Sequence, residues 1–108
     1  MIKVYLSGKM TGLDKGVYEL NFMKVAQFYK SCGYVVVNPC DIAREVLKKN
    51  PEAEYEDFME ADLKALKECT HIAMLEGWTD SAGAKREKAE AERLGLEVMF
   101  LKFIGGKK

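Results

Sequence analysis

The chain has 108 residues, 48% of them hydrophobic and 31% charged, a balance that builds a folded core and excludes a disordered chain. At this length a single domain, 1–108, is expected, burying roughly 65% of the surface its unfolded chain would expose. Lys plus Arg equals Asp plus Glu at 17 each, so the formal net charge is zero and no long-range attraction to nucleic acid or an anionic membrane is expected.

Ile2 to Leu6 is a short β-type run that ends in Ser7-Gly8. The stretch to Gly16 holds three glycines and no helical pattern, so it reads as a loop. From about Gly16 to Cys32 the period turns helical, with Tyr18, Phe22, Val25, Phe28, Tyr29 and Cys32 on one face. Gly33 is the expected left-handed cap. Tyr34 to Val37 is nearly all apolar, as a strand buried on both faces should be, and Asn38-Pro39 ends it.

Asp41 to Lys49 is a short helix with Asp41 as its expected N-cap, stopped by Pro51. Tyr55 to Glu68 is a stronger helix, and Thr70 to Leu75 a third strand. Gly77 to Asp80 is a loop. Ser81 or Asp80 then caps a helix that runs to Leu94 and closes on Gly95. Leu96 to Phe103 is the fourth strand, followed by a tail, Ile104 to Lys108, expected to fray.

Alternating strands and helices specify an α/β fold: a flavodoxin-like or Rossmann-like, doubly wound parallel sheet with right-handed crossovers and helices on both faces. The expected strand order is 2-1-3-4. Ligands in such sheets bind beyond the carboxyl ends of the strands, where the winding reverses. Here that point falls between strands one and three. The loops Ser7–Gly12 and Gly77–Gly83 flank it.

Three cysteines, Cys32, Cys40 and Cys69, form no CxxC pair, and His71 is the one histidine. Neither a disulfide framework nor a zinc site fits, and all three cysteines read as small buried hydrophobes. The N-terminal MIKVYLSGKMTG has no apolar core of signal-peptide length, and no run approaches the ~18 residues of a membrane span. A cytoplasmic protein without a membrane partner is therefore expected.

The two residues that carry most information are Asp62 and Glu87. Tyr55, Phe58, Met59, Ala65, Leu66 and Cys69 lie within about 60° of one direction on their helix, and Asp62 points along the middle of that stripe. Gly83, Ala84, Ala91 and Leu94 form the stripe of the last helix, with Glu87 at its centre. An ionised carboxylate on a core-facing stripe is costly unless paired or hydrogen-bonded, and burial raises its pKa in a way catalysis uses. A structural reading stands beside this one. A helix can tuck a carboxylate against a backbone N–H, and Glu87 can pair with Arg86 or Lys88. Ser81 is likewise either a simple N-cap or part of an anion site at a helix start. The first loop, SGKMTG, matches neither GxxxxGK[ST] nor GxGxxG.

On these residues the chain resembles the nucleoside 2-deoxyribosyltransferase-like superfamily, above all its small phage and bacterial members. The likeness runs from Val4 to about Val98. It rests on Tyr5-Leu6-Ser7-Gly8, Met10-Thr11-Gly12, Asn21, Asn38-Pro39 and Ala61-Asp62-Leu63. Its most specific part is Trp78, Ser81, Gly83 and Glu87 in the arrangement W-x-x-S-x-G-x-x-x-E. The superfamily contains transferases that move 2-deoxyribose between bases, and hydrolases that release the base from 2′-deoxynucleoside 5′-monophosphates.

The resemblance implies cleavage or transfer at the N-glycosidic bond of a 2′-deoxynucleoside or its 5′-monophosphate. Glu87 would be the nucleophile at the anomeric carbon. Asp62 would protonate the leaving base or activate the acceptor, and Tyr5 would orient the nucleophile. Ser81 would bind the 5′ group. Ser7, Gly8, Lys9, Met10, Trp78 and Gly83 would complete the substrate contacts. No cofactor or metal is implied. The implied partners are a small-molecule nucleoside or nucleotide and further copies of the chain, as a dimer or larger homo-oligomer. The chemistry suits these residue types: a carboxylate beneath an oxocarbenium-like sugar, a covalent glycosyl ester, and a second acid of raised pKa. There are departures from the hydrolase pattern. Thr11 stands where an arginine commonly follows the first glycine, leaving Lys9, Lys85 or Arg86 for a phosphate, and Lys85 stands where a second glycine is usual. The alternatives are a nucleotide or nucleotide-sugar binding domain of the same fold without turnover, and an interaction protein in which both carboxylates are structural relics.

Overall fold

A computed structural model describes residues 1–101 of the chain. Five-residue β1 (Lys3–Ser7) leads through a loop to α1 (Lys15–Ser31) and β2 (Val35–Val37). Two helices follow in succession, α2 (Pro39–Lys49) and α3 (Tyr55–Leu66), before β3 (His71–Leu75). A short 3-10 turn (Trp78–Asp80) then enters α4 (Ala82–Arg93) and β4 (Glu97–Leu101). All strand pairs are parallel, in the order β2-β1-β3-β4. This is the expected doubly wound α/β sheet, with its reversal between β1 and β3.

Alternation along the strands divides the core in two, because successive side chains leave opposite faces. Val4, Leu6, Ala73 and Leu75 meet Phe22, Val25, Ala26 and Tyr29 of α1 on one face. Tyr5, Ile72 and Met74 meet Leu66 of α3 and Ala84 and Ala91 of α4 on the other. The small residues of α4 let that helix sit close to the sheet, which brings its side chains within reach of β1.

The structure corrects several local readings. β2 is the outermost strand with a neighbour on one side only, so Val35 is 40% exposed rather than buried on both faces. The helix expected to start at Asp41 begins at Pro39, and Asn38 is its cap, accepting from the Cys40 N–H at 2.9 Å. Proline suits that first position, where its missing N–H would have had no helical partner. Asp41 instead pairs with Arg44 at 2.7 Å. On α1, Phe28 is 52% exposed, because it lies about 110° from the centre of the buried face. Cys32 is exposed as the C-cap residue, while Cys40 and Cys69 are buried as expected. The last strand is described to Leu101, so the expected Lys102–Phe103 extension and the tail lie outside the described residues. No helix among the described residues is long and apolar enough to cross a membrane.

Candidate active site

Beyond the carboxyl ends of β1 and β3 lies an open cavity of about 540 Å³. The loop after β1 supplies one wall, with Gly8, Lys9, Met10 and Thr11. The start of α4 supplies the facing wall, with Ser81, Ala82 and Gly83. Glu87 and Asp62 both reach into it.

Glu87 sits in the second turn of α4 and is only 6% exposed. Among the described residues no cation pairs with it. Arg86 turns away to Glu56, with contacts of 2.9 and 3.2 Å, and Lys88 pairs with Glu92 at 2.8 Å. The partners of Glu87 are hydroxyls from β1. Tyr5 donates its O–H to Oε2 at 2.9 Å, and Ser7 donates its O–H to Oε1 at 2.6 Å. Tyr5 and Ser7 are two residues apart on one strand, so both project from the face that α4 covers.

Asp62 of α3 lines the same cavity as Glu87, and its charge acts on Glu87 and on the Tyr5 hydroxyl. Burial, then the neighbouring Glu87 charge, pushes the Asp62 pKa up to about 8. Its carboxyl therefore stays protonated at neutral pH. Burial also raises Glu87, opposed by the hydrogen bonds from Ser7, Asp62 and Tyr5. Burial and the two adjacent carboxylates push Tyr5 well above the usual phenol range, so it stays a donor. One proton between the two acids is the low-energy state of such a pair, because two buried, interacting carboxyls do not both hold a charge.

Ser81 caps α4, its hydroxyl oxygen accepting from the Ala84 N–H at 3.1 Å, and it also faces the cavity. The two readings of Ser81 are therefore compatible. Gly8 is needed for space. A Cβ there would stand 3.0 Å from the Leu75 Cβ and 3.3 Å from the Phe22 ring. We expect Gly8→Ala to lower the free energy of unfolding in urea by about 1–3 kcal/mol, the usual cost of overpacking. An unchanged midpoint would mean that β3 yields at Leu75.

Of the residues expected to contact substrate, Gly8, Lys9, Met10, Ser81 and Gly83 line the cavity. Two do not. Ser7 is fully buried behind Glu87. Trp78 packs against the second core instead, its ring 5.9 Å from that of Phe100 and 5.4 Å beneath the Lys88 ammonium. The 3-10 turn orients the indole towards β4, which residue spacing alone does not reveal. Tyr55, Phe58 and Met59 also line the cavity and were not singled out as site residues. Their signal was present, since all three share the helical stripe of Asp62. Among the described residues no cluster of His, Cys, Asp and Glu is arranged to hold a metal ion.

Comparison with proteins of curated function finds no match. Among solved structures, the chain is similar to the Clostridium botulinum CMP N-glycosidase BcmB, at 19% identity and a TM-score of 0.60. The likeness covers 93% of this chain and 68% of that one. At that identity it is a likeness of fold alone, and it agrees with the parallel α/β architecture expected from the sequence. The family model described as "Domain of unknown function (DUF4406)" matches residues 2–100, and the chain belongs to that family.

Proposed function

We propose that this chain cleaves or transfers at the N-glycosidic bond of a nucleoside or its 5′-monophosphate, with Glu87 as nucleophile. The observation that carries the reading is a buried carboxylate held by two hydroxyls, with no cation paired to it among the described residues, that opens into a cavity beside a second acid of raised pKa. A merely structural carboxylate has no use for that second acid. The name of the fold neighbour, a CMP N-glycosidase, agrees with this chemistry.

In the proposed reaction a Glu87 oxygen attacks the anomeric carbon from beneath the sugar. The C–N bond breaks, its electron pair leaves on the base nitrogen, and Asp62 donates the proton that neutralises the base. A glycosyl ester on Glu87 results. Asp62, now ionised, takes a proton from water or from an acceptor base, which attacks the same carbon and frees Glu87. Tyr5 holds the nucleophile's orientation. The start of α4, with Ser81 and Gly83, would receive the 5′ end of the sugar, through a hydroxyl contact or the positive end of the helix dipole.

The test is base release, followed by chromatography, from the common ribo- and deoxynucleosides and their 5′-monophosphates. At least one should release its base with multiple turnovers. Failure of every member of the panel, with binding but no release, would favour the non-catalytic binding domain.

A further inference from the structure

Ser7 is expected from the superfamily resemblance to touch substrate, but its surroundings point elsewhere. It is fully buried and does not line the cavity. Its hydroxyl makes the shorter of the two hydroxyl contacts to Glu87, 2.6 Å against 2.9 Å for Tyr5. Each takes a different carboxylate oxygen. Side chains two apart on a strand stand about 7 Å apart on one face, so a carboxylate lying across them offers one oxygen to each. β1 is an inner strand whose Ser7 pairs in register with Met74, so the backbone ladder holds this hydroxyl in place.

We infer that Ser7 is a positioning residue, one half of a two-hydroxyl clamp that fixes the plane of the Glu87 carboxylate and holds it ionised for attack. The inference rests on the proposed N-glycosidic chemistry. One donor on each oxygen stops rotation of the carboxyl group about its last bond, which a single donor would permit. Charge-assisted bonds also favour the anion, so the 2.6 Å Ser7 bond opposes the effect of burial on Glu87. Among the described residues the two hydroxyls thus do what a paired cation usually does for a buried carboxylate.

Ser7→Ala removes the donor with little change of volume. At pH 7 kcat should fall by roughly 10- to 100-fold, the effect of losing a hydrogen bond to a charged group. KM should stay within about twofold, because no substrate contact is lost. The acid limb of the kcat/KM profile should move to higher pH, since Glu87 then protonates more readily. Ser7→Cys keeps a weak S–H donor and should fall between wild type and Ser7→Ala. It also serves if Ser7→Ala fails to fold. The Glu87 carboxyl resonance, identified as the carbon-13 signal missing from Glu87→Gln, should titrate at higher pH in both Ser7 variants. An unmoved titration overturns the inference, and so does a raised KM with unchanged kcat. Because the titration needs no turnover, a shifted resonance in a protein that releases no base would support the clamp while the enzymatic reading fails.

Discussion

Glu87→Gln should leave a folded protein whose base release is reduced by more than ~10³-fold. General acid–base help is typically worth about 10²–10⁴-fold, and loss of the nucleophile should reach or exceed the middle of that range. Glutamine has the shape of the carboxylate and can still accept from one of the two hydroxyls that now hold it. The other hydroxyl can rotate to accept from the new amide. What glutamine cannot do is form the glycosyl ester. Melting temperature and base release measured on the same variant separate the readings. If Glu87 were structural, the melting temperature would move, because a buried carboxylate had exchanged its partners, while turnover stayed near wild type. Full activity in Glu87→Gln would end the case for a covalent mechanism.

Asp62→Asn should cost about 10²–10⁴-fold, and least with substrates whose base leaves easily without a proton. Its pH dependence is more diagnostic than its size. With a pKa of about 8, Asp62 is protonated at neutral pH and releases its proton as pH rises through that value. Base release by wild type should therefore decline above pH 8, and Asp62→Asn should lack that alkaline limb. A wild-type rate that climbs steadily to pH 9.5 would remove Asp62 as the acid.

Stability should run with the same residue. The folded pKa lies above the unfolded value of 3.8, so between 3.8 and about 8 the folded chain binds a proton that the unfolded chain has released. The stabilising contribution is fully present below 3.8 and is lost as pH rises through about 8. Asp62→Asn removes that dependence and should melt higher than wild type at pH 8. A site that costs stability when charged is the pattern expected of a group retained for chemistry.

The chain order of strands and helices was legible in the sequence because each element announces its own period and ends. Gly33, Gly77 and Gly95 occupy positive φ where a strand or helix closes, and four alternating segments then leave little topological choice. The two carboxylates were legible for a related reason. A helix of 3.6 residues per turn shows which side chains share a face, so Asp62 and Glu87 could be seen among residues that turn inward. Lys9, Ser81 and Gly83 were found through their place in loops and caps around the expected switch point. Local period is silent on what faces that inward direction. The Tyr5 and Ser7 contacts to Glu87 span 82 and 80 residues of chain, and only packing of α4 on β1 creates them. Packing also decided against Trp78, whose indole lies tilted against Phe100 at the far edge of the sheet. It exposed Phe28 and Cys32 too, because the sheet covers a narrower arc of α1 than the apolar stripe occupies. Sequence periodicity thus determined which carboxylates turn inward. Tertiary contact alone determined that both line one cavity, and that hydroxyls from the central strand hold Glu87.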